Sequence, residues 1–185
     1  MQDMPIYKLE NLAYHEAIPG HHMQIAIALE VEGMPSFRKY GGYSVFSEGW
    51  ALYSETLPKE IGLYEDPYSD FGRLSGELWR ACRLVVDTGI HHYRWTREEG
   101  IDYYMSNTAN PEGDCVGMVE RHIVWPGQAV SYKIGMLKIQ ELRAYAELSL
   151  GTKFSLQAFH DIVLKNGGVP MDILQDIVYQ WVDSQ

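Results

Sequence analysis

An all-α fold is predicted by three observations. Apolar residues recur at helical spacing through most of the chain, strand-like alternation is scarce, and cap and stop signals fall at helix-length intervals. Some seven or eight helices are expected in a single domain over residues 1–185, because that length is typical of one domain and buries a substantial core.

The first helix is expected from about Lys8 to Glu32, interrupted at Pro19-Gly20 and ended by Gly33-Met34-Pro35. Gly41-Gly42 marks a loop, and a second helix runs from near Ser44 to Leu57, where Pro58 stops it. After a turn at Tyr64-Glu65-Asp66-Pro67, a third extends from about Tyr68 to Asp87 and gives way at Thr88-Gly89. Thr96-Arg97-Glu98-Glu99 has capping-box spacing and opens a short helix to about Ser106. Asn110-Pro111-Glu112 reads as an N-cap followed by proline at the first helical position, with a stop at Trp125-Pro126. Gln128 to Leu150 is a long helix with Gly151 as its C-terminal signal. Ser155 opens another to Lys165, closed by Asn166-Gly167-Gly168, and Val169-Pro170 precedes a last one ending near Asp183.

Apolar residues make up 46% of the chain, so it is globular rather than disordered. A formal net charge of -10 argues against nucleic acid or an anionic membrane as the main partner. No apolar run approaches the ~18 residues of a transmembrane helix. Cys82 and Cys115 lack metal-binding spacing and are too few for a disulfide framework, so both are expected as buried thiols. Met1 to Tyr7 shows no signal-peptide pattern. Because the chemistry described next begins so close to that end, the chain is expected to be the C-terminal portion of a longer protein. A leader would then be absent with the missing part, and the compartment stays open.

Three of the seven histidines fall within His15-Glu16-Ala17-Ile18-Pro19-Gly20-His21-His22, flanked by apolar residues on both sides. The stretch reads as an altered form of the His-Glu-x-x-His zinc-protease helix. In the usual motif the two histidines are four apart, ~40° of rotation and ~6 Å of rise, so both reach one ion. Here position four is Pro19, while His21 points ~120° away from His15 and His22 lies ~10 Å along the axis in a regular helix. Pro19 removes an N–H and clashes with the preceding turn, and Gly20 permits the torsion that follows. A widened turn with two extra residues would bring His21 to the second-ligand position, which favours it over His22.

Glu16 occupies the place of a general base, a carboxylate that takes a proton from the activated water and passes it to the leaving group. The alternative is a solvated helix charge beside histidines that merely cap a kink. A catalytic zinc site needs a third ligand. Glu48, among Phe46, Gly49 and Trp50, is the best candidate, and Glu55, on the same face seven residues on, is the next. A His/His/Glu set suits Zn2+ better than calcium or magnesium. The plainer alternative for Glu48 is a salt-bridged core acid.

An oxyanion donor is also required, and Tyr132, one turn after Gln128, is the first choice. His91, four residues after Asp87, is the second, as one half of a pair that could contact substrate. His92 and His122 read as ordinary polar residues, and His160 as packed at a helix interface. Arg80 and Arg83 could clamp a substrate carboxylate, with salt bridging to the many acids the plainer role.

Together, His-Glu-x-x-Pro-Gly-His-His-x-Gln from His15 and Glu-Gly-Trp-Ala-x-Tyr from Glu48 resemble the bacterial family of domain of unknown function 885. Val86-Asp87-Thr88-Gly89-Ile90-His91, Trp95-Thr96-Arg97-Glu98 and the segment from Trp125 to Gly135 agree with it, in order and almost end to end. Members are typically longer, with a large helical N-terminal part. The family is similar to gluzincin metallopeptidases of thimet-oligopeptidase-like, zincin-like helical architecture. That resemblance implies His15, His21 and Glu48 as zinc ligands, Glu16 as base, and a peptide or small amide as substrate, with a missing N-terminal domain completing the cleft. Two alternatives remain open: a metal-binding helical domain without turnover, and a metal-free helical scaffold.

Overall fold

The computed structural model describes residues 5–185, and every regular element among them is helical. After a single 3-10 turn at Ile6–Lys8 come α1 (Leu9–Glu16), α2 (His21–Glu30), α3 (Ser36–Tyr40), α4 (Ser44–Ser54), α5 (Leu57–Glu60) and α6 (Pro67–His91). Then follow α7 (Arg97–Asn107), α8 (Glu112–Val124), α9 (Ser131–Leu150), a 3-10 turn at Gly151–Lys153, α10 (Leu156–Leu164) and α11 (Met171–Asp183). If α1 and α2 are counted as one broken helix and the short α3 and α5 are set aside, eight helices remain, within the seven or eight that the sequence predicts.

Two apolar cores hold these helices. In the larger, Phe46, Trp50 and Tyr53 of α4 pack with Met136, Ile139 and Leu142 of α9, Phe159 and Val163 of α10, and Leu174 and Val178 of α11. In the smaller, Cys82 and Val86 of α6 meet Ile101 and Tyr104 of α7 and Cys115 and Val119 of α8. Both cysteines are buried free thiols there, and burial pushes both pKa values up. Among the described residues, no helix is long and apolar enough to cross a membrane.

The pair that positions the site is α4 against α9. A Cβ on Gly49 would stand 2.5 Å from the Gly135 Cα, and one on Gly135 would stand 2.0 Å from the Val45 carbonyl oxygen. The two helices therefore cross backbone against backbone, which only glycine on both sides permits. That contact sets Glu48, the residue before Gly49, against Tyr132, one turn before Gly135.

The structure corrects several boundaries. α6 continues through Thr88-Gly89 to His91, because Gly89 is a seat rather than a stop: a Cβ there would meet the Trp95 ring at 2.4 Å. Pro58 lies in the first turn of α5, where its missing N–H costs nothing, so it opens a helix after α4 has already closed at Ser54. Pro111, not Asn110, is the N-cap of α8. α9 starts at Ser131, after a turn in which Gly127 has φ 83°. The short α3 has no counterpart in the apolar pattern. The capping box at Thr96 and Glu99 forms as the spacing predicts.

Candidate metal centre

The long first helix is not a helix with a widened turn. α1 ends at Glu16, four residues form a corner, and α2 begins at His21. Gly20 has an ordinary negative φ of -77°, so its role is proximity rather than torsion. A Cβ there would sit 1.8 Å from the His15 carbonyl oxygen, so the corner closes this tightly only on glycine. The Pro19 carbonyl accepts a hydrogen bond from the Trp50 indole N–H at 2.9 Å, which ties the corner to α4. Trp50 thus links the two motifs physically.

This corner brings His15 and His21 face to edge, with ring centroids 4.9 Å apart and planes at 89°. One nitrogen of each ring and one oxygen of Glu48 all lie within 4.8 Å of one another. Glu48 Oε2 is 3.8 Å from His15 Nε2 and 3.3 Å from His21 Nε2. His22, the alternative to His21, is exposed and outside this group.

His15 is 3% exposed and lies between two carboxylates of the α4 segment. Its Nε2 faces Glu48, and its Nδ1 is 2.6 Å from Glu55 Oε1. With the proton on Nδ1 and donated to Glu55, the Nε2 lone pair is left free, the tautomer a metal-binding histidine requires. Glu55, a substitute ligand on the sequence alone, stands behind His15 instead. It is 1% exposed, with Arg80 Nη2 3.7 Å from its Oε1.

Burial disfavours charge on His15, but the bonds to Glu48 and Glu55 outweigh it and raise its pKa. Burial also opposes charge on Glu48, yet the surrounding His15, His21 and Tyr132 hold its carboxyl well below the usual carboxylate range. The centre is a half-buried place that favours positive charge.

Behind Glu48 lies an amide bridge. Gln128 Nε2 donates to Glu48 Oε1 at 3.1 Å and to the Tyr132 hydroxyl at 3.0 Å, while Arg83 Nη2 donates to Gln128 Oε1 at 3.0 Å. The Arg83 guanidinium stands 4.2 Å from the centroid of the Tyr132 ring, and that ring stacks on His15 at 6.3 Å. Gln128 was visible in the sequence only as the residue one turn before Tyr132. Its pairing with Glu48 spans 80 positions and has no local signal.

Tyr132 is thus part of the centre, and Glu16 adjoins it. Glu16 ends α1 next to His15, is exposed, and makes no hydrogen bond or ion pair with a described residue. His91 is not part of it. Its Nε2 lies 2.8 Å from the His122 carbonyl oxygen, and the expected partner Asp87 accepts the Gly127 N–H instead, at 3.2 Å to each oxygen. Both groups are used to fasten the end of α8 and the following turn to α6. His122 is buried against the Tyr104 hydroxyl at 2.7 Å, and the half-buried His160 lies 2.8 Å from that of Tyr53.

The chain matches the family model described as bacterial protein of unknown function (DUF885) over residues 1–178. Among solved structures it is similar to a candidate lipoprotein from Colwellia psychrerythraea, with 52% identity and a TM-score of 0.95 over 98% of this chain and 31% of that one. It is also similar to a candidate lipoprotein of unknown function from Shewanella oneidensis, with 27% identity and a TM-score of 0.86 over 94% of this chain and 32% of that one. The chain therefore spans about a third of the length of these relatives. No curated protein matches it.

Proposed function

The chain belongs to this family of bacterial proteins of unknown function, and for it we propose a zinc-dependent hydrolase of peptide or amide bonds. The observation that carries the reading is the convergence of His15, His21 and Glu48 within 4.8 Å, with the far nitrogen of His15 fixed by a buried carboxylate. Two neutral nitrogens and one carboxylate form the donor set of catalytic zinc sites, and a carboxylate bonded to a ligand histidine is their usual support. The residues present therefore fit the ion. Zinc in such a centre supplies a Lewis acid that activates water at neutral pH and polarises a carbonyl.

The side chains divide the remaining work. His15, His21 and Glu48 hold the ion, and Glu55 sets the His15 tautomer. Glu16, adjacent to His15 and free of other partners, takes the proton from water and returns it to the leaving amine. The Tyr132 hydroxyl, held by Gln128 and backed by Arg83, donates to the oxygen on which negative charge develops.

A Glu16→Gln substitution tests the assignment. It keeps the zinc content of the native chain and lowers peptide hydrolysis by about 10²- to 10⁴-fold, the usual worth of a general base. Unchanged hydrolysis would remove Glu16 from the mechanism. A second reading, a metal-binding domain without turnover, is favoured by one observation: the relatives are about three times as long, so the rest of a cleft would come from elsewhere. Zinc bound stoichiometrically with no hydrolysis of any peptide by the full-length relative would support it.

A further inference from the structure

We infer that the cleft between the start of α1 and the middle of α6 is a carboxylate-binding subsite, so that the proposed hydrolase takes carboxylate-bearing peptides. The substrate class rests on the zinc reading; the anion site stands on its own observations. The cleft encloses about 220 Å³ and is bounded by Lys8, Asn11, Gly76, Arg80, Arg83 and Asn110. Three cations therefore meet at one opening in a chain whose net charge is -10.

Those cations are poorly matched within the protein. Neither Lys8 nor Arg83 makes an ion pair with a described residue, and Arg80, which donates to the Gly76 carbonyl at 3.2 Å, has Glu55 at 3.7 Å as its one ion-pair partner among them. Arg83 is 6% exposed, donates only to the neutral Gln128, and its Nε has no partner. Asn11 is 3% exposed, and its unpaired side-chain oxygen is an acceptor, suited to the N–H of a peptide rather than to its carboxylate. A buried guanidinium N–H left without a partner is costly, and a bound acceptor removes that cost. Gly76 keeps the floor of the cleft open, since a Cβ there would lie 2.8 Å from Asn11 Nδ2 and 3.0 Å from Arg80 Nη1. Two guanidinium groups and an ammonium around a space the size of one residue are the chemistry that binds a carboxylate.

The cleft adjoins the metal centre on two sides. Asn11 is one turn before His15, Arg80 touches the carboxylate that holds His15, and Arg83 holds the amide that holds Glu48. A substrate anchored there by its carboxylate presents a neighbouring bond to that centre.

Titration calorimetry of the purified chain with hippurate, with its neutral amide hippuramide, and with N-acetylglutamate α-amide tests the inference. Each probe is measured once in excess chelator and once with one equivalent of Zn2+. Hippurate is expected to bind about 10-fold or more tightly than hippuramide with or without zinc, the worth of one or more charge-assisted hydrogen bonds. Lys8→Gln and Arg83→Gln are each expected to erase most of that preference, with circular dichroism confirming the fold. Lys8, half-buried on the rim, carries the test if Arg83→Gln does not fold. The glutamate derivative separates the two sources, binding like hippurate if side-chain carboxylates are accepted and like hippuramide if only a chain terminus is. Equal affinity for acid and amide, or a preference that survives both substitutions, would overturn the subsite. A preference seen only with zinc would place the carboxylate on the metal and overturn it while leaving the zinc reading intact. Absence of zinc binding with the preference retained would do the reverse.

Discussion

At the scale of single residues, the arrangement turns on one imidazole held between two carboxylates. Glu48 and Glu55 leave the α4 segment seven residues apart and meet opposite nitrogens of His15, so one ring reads both. Removing the charge behind the ring is therefore as informative as removing a ligand. Glu55→Gln is expected to weaken zinc binding about 10- to 100-fold, measured by competition with a chelator, because the His15 tautomer is no longer enforced. An affinity equal to that of the native chain would show that Glu55 serves only the core. Glu48→Ala is expected to cost more than Glu55→Gln in the same assay, since it removes a donor atom outright.

A second residue-scale prediction concerns acid. Burial, followed by the charges of Arg83, Arg121 and His91, lowers the His122 pKa to about 4. The unfolded chain protonates this histidine near pH 6.5, while the folded chain keeps it neutral. Its contribution to stability is therefore complete above about pH 6.5, is lost as pH falls towards 4, and changes no further below that. His122→Gln is expected to flatten this part of the stability curve in urea titrations between pH 7 and 4. An unchanged slope would place the acid sensitivity elsewhere.

At the scale of elements, two glycine contacts do what no side chain could. The Gly49–Gly135 crossing lets α4 and α9 touch backbone to backbone, and Gly20 lets α2 start against the last turn of α1. Gly135→Ala places a methyl group 2.0 Å from the Val45 carbonyl, where two packed helices must separate. The expected loss is about 3 kcal/mol in equilibrium denaturation, at the upper end for overpacked sites. A loss below about 0.5 kcal/mol, typical of a surface site, would mean that the crossing is looser than described.

Much of this level was legible beforehand. The helix order, the break at Pro19-Gly20 and the pairing of a histidine-rich corner with the segment around Glu48 follow from local residue types. What was not legible came from contacts between distant elements. Gly89 looked like a stop because nothing local shows that the Trp95 ring packs on it, and His91 looked available because its carbonyl partner lies 31 residues away. In the sequence Gln128 is only a helix neighbour and Glu55 a spare acid. Their roles appear only when α4, α6 and α9 are assembled, since a hydrogen bond across 80 positions leaves no periodicity to read.

At the scale of the whole molecule, the two apolar cores leave the histidine corner, α4, α6 and the start of α9 around one polar region. The cationic cleft and the candidate metal centre share that region, connected through Arg80 and Arg83. The relatives from Colwellia psychrerythraea and Shewanella oneidensis carry this architecture in about a third of their length, so the same convergence is expected within them. The most direct measurement is anomalous diffraction at the zinc edge from crystals of protein purified without an affinity tag. One strong peak is predicted, within bonding distance of His15 Nε2, a ring nitrogen of His21 and the Glu48 carboxylate, and absent at a wavelength beyond the edge. Zinc-replete crystals with no peak there, or with the peak on other residues, would contradict the metal centre and leave a helical domain whose buried polar residues serve only its packing.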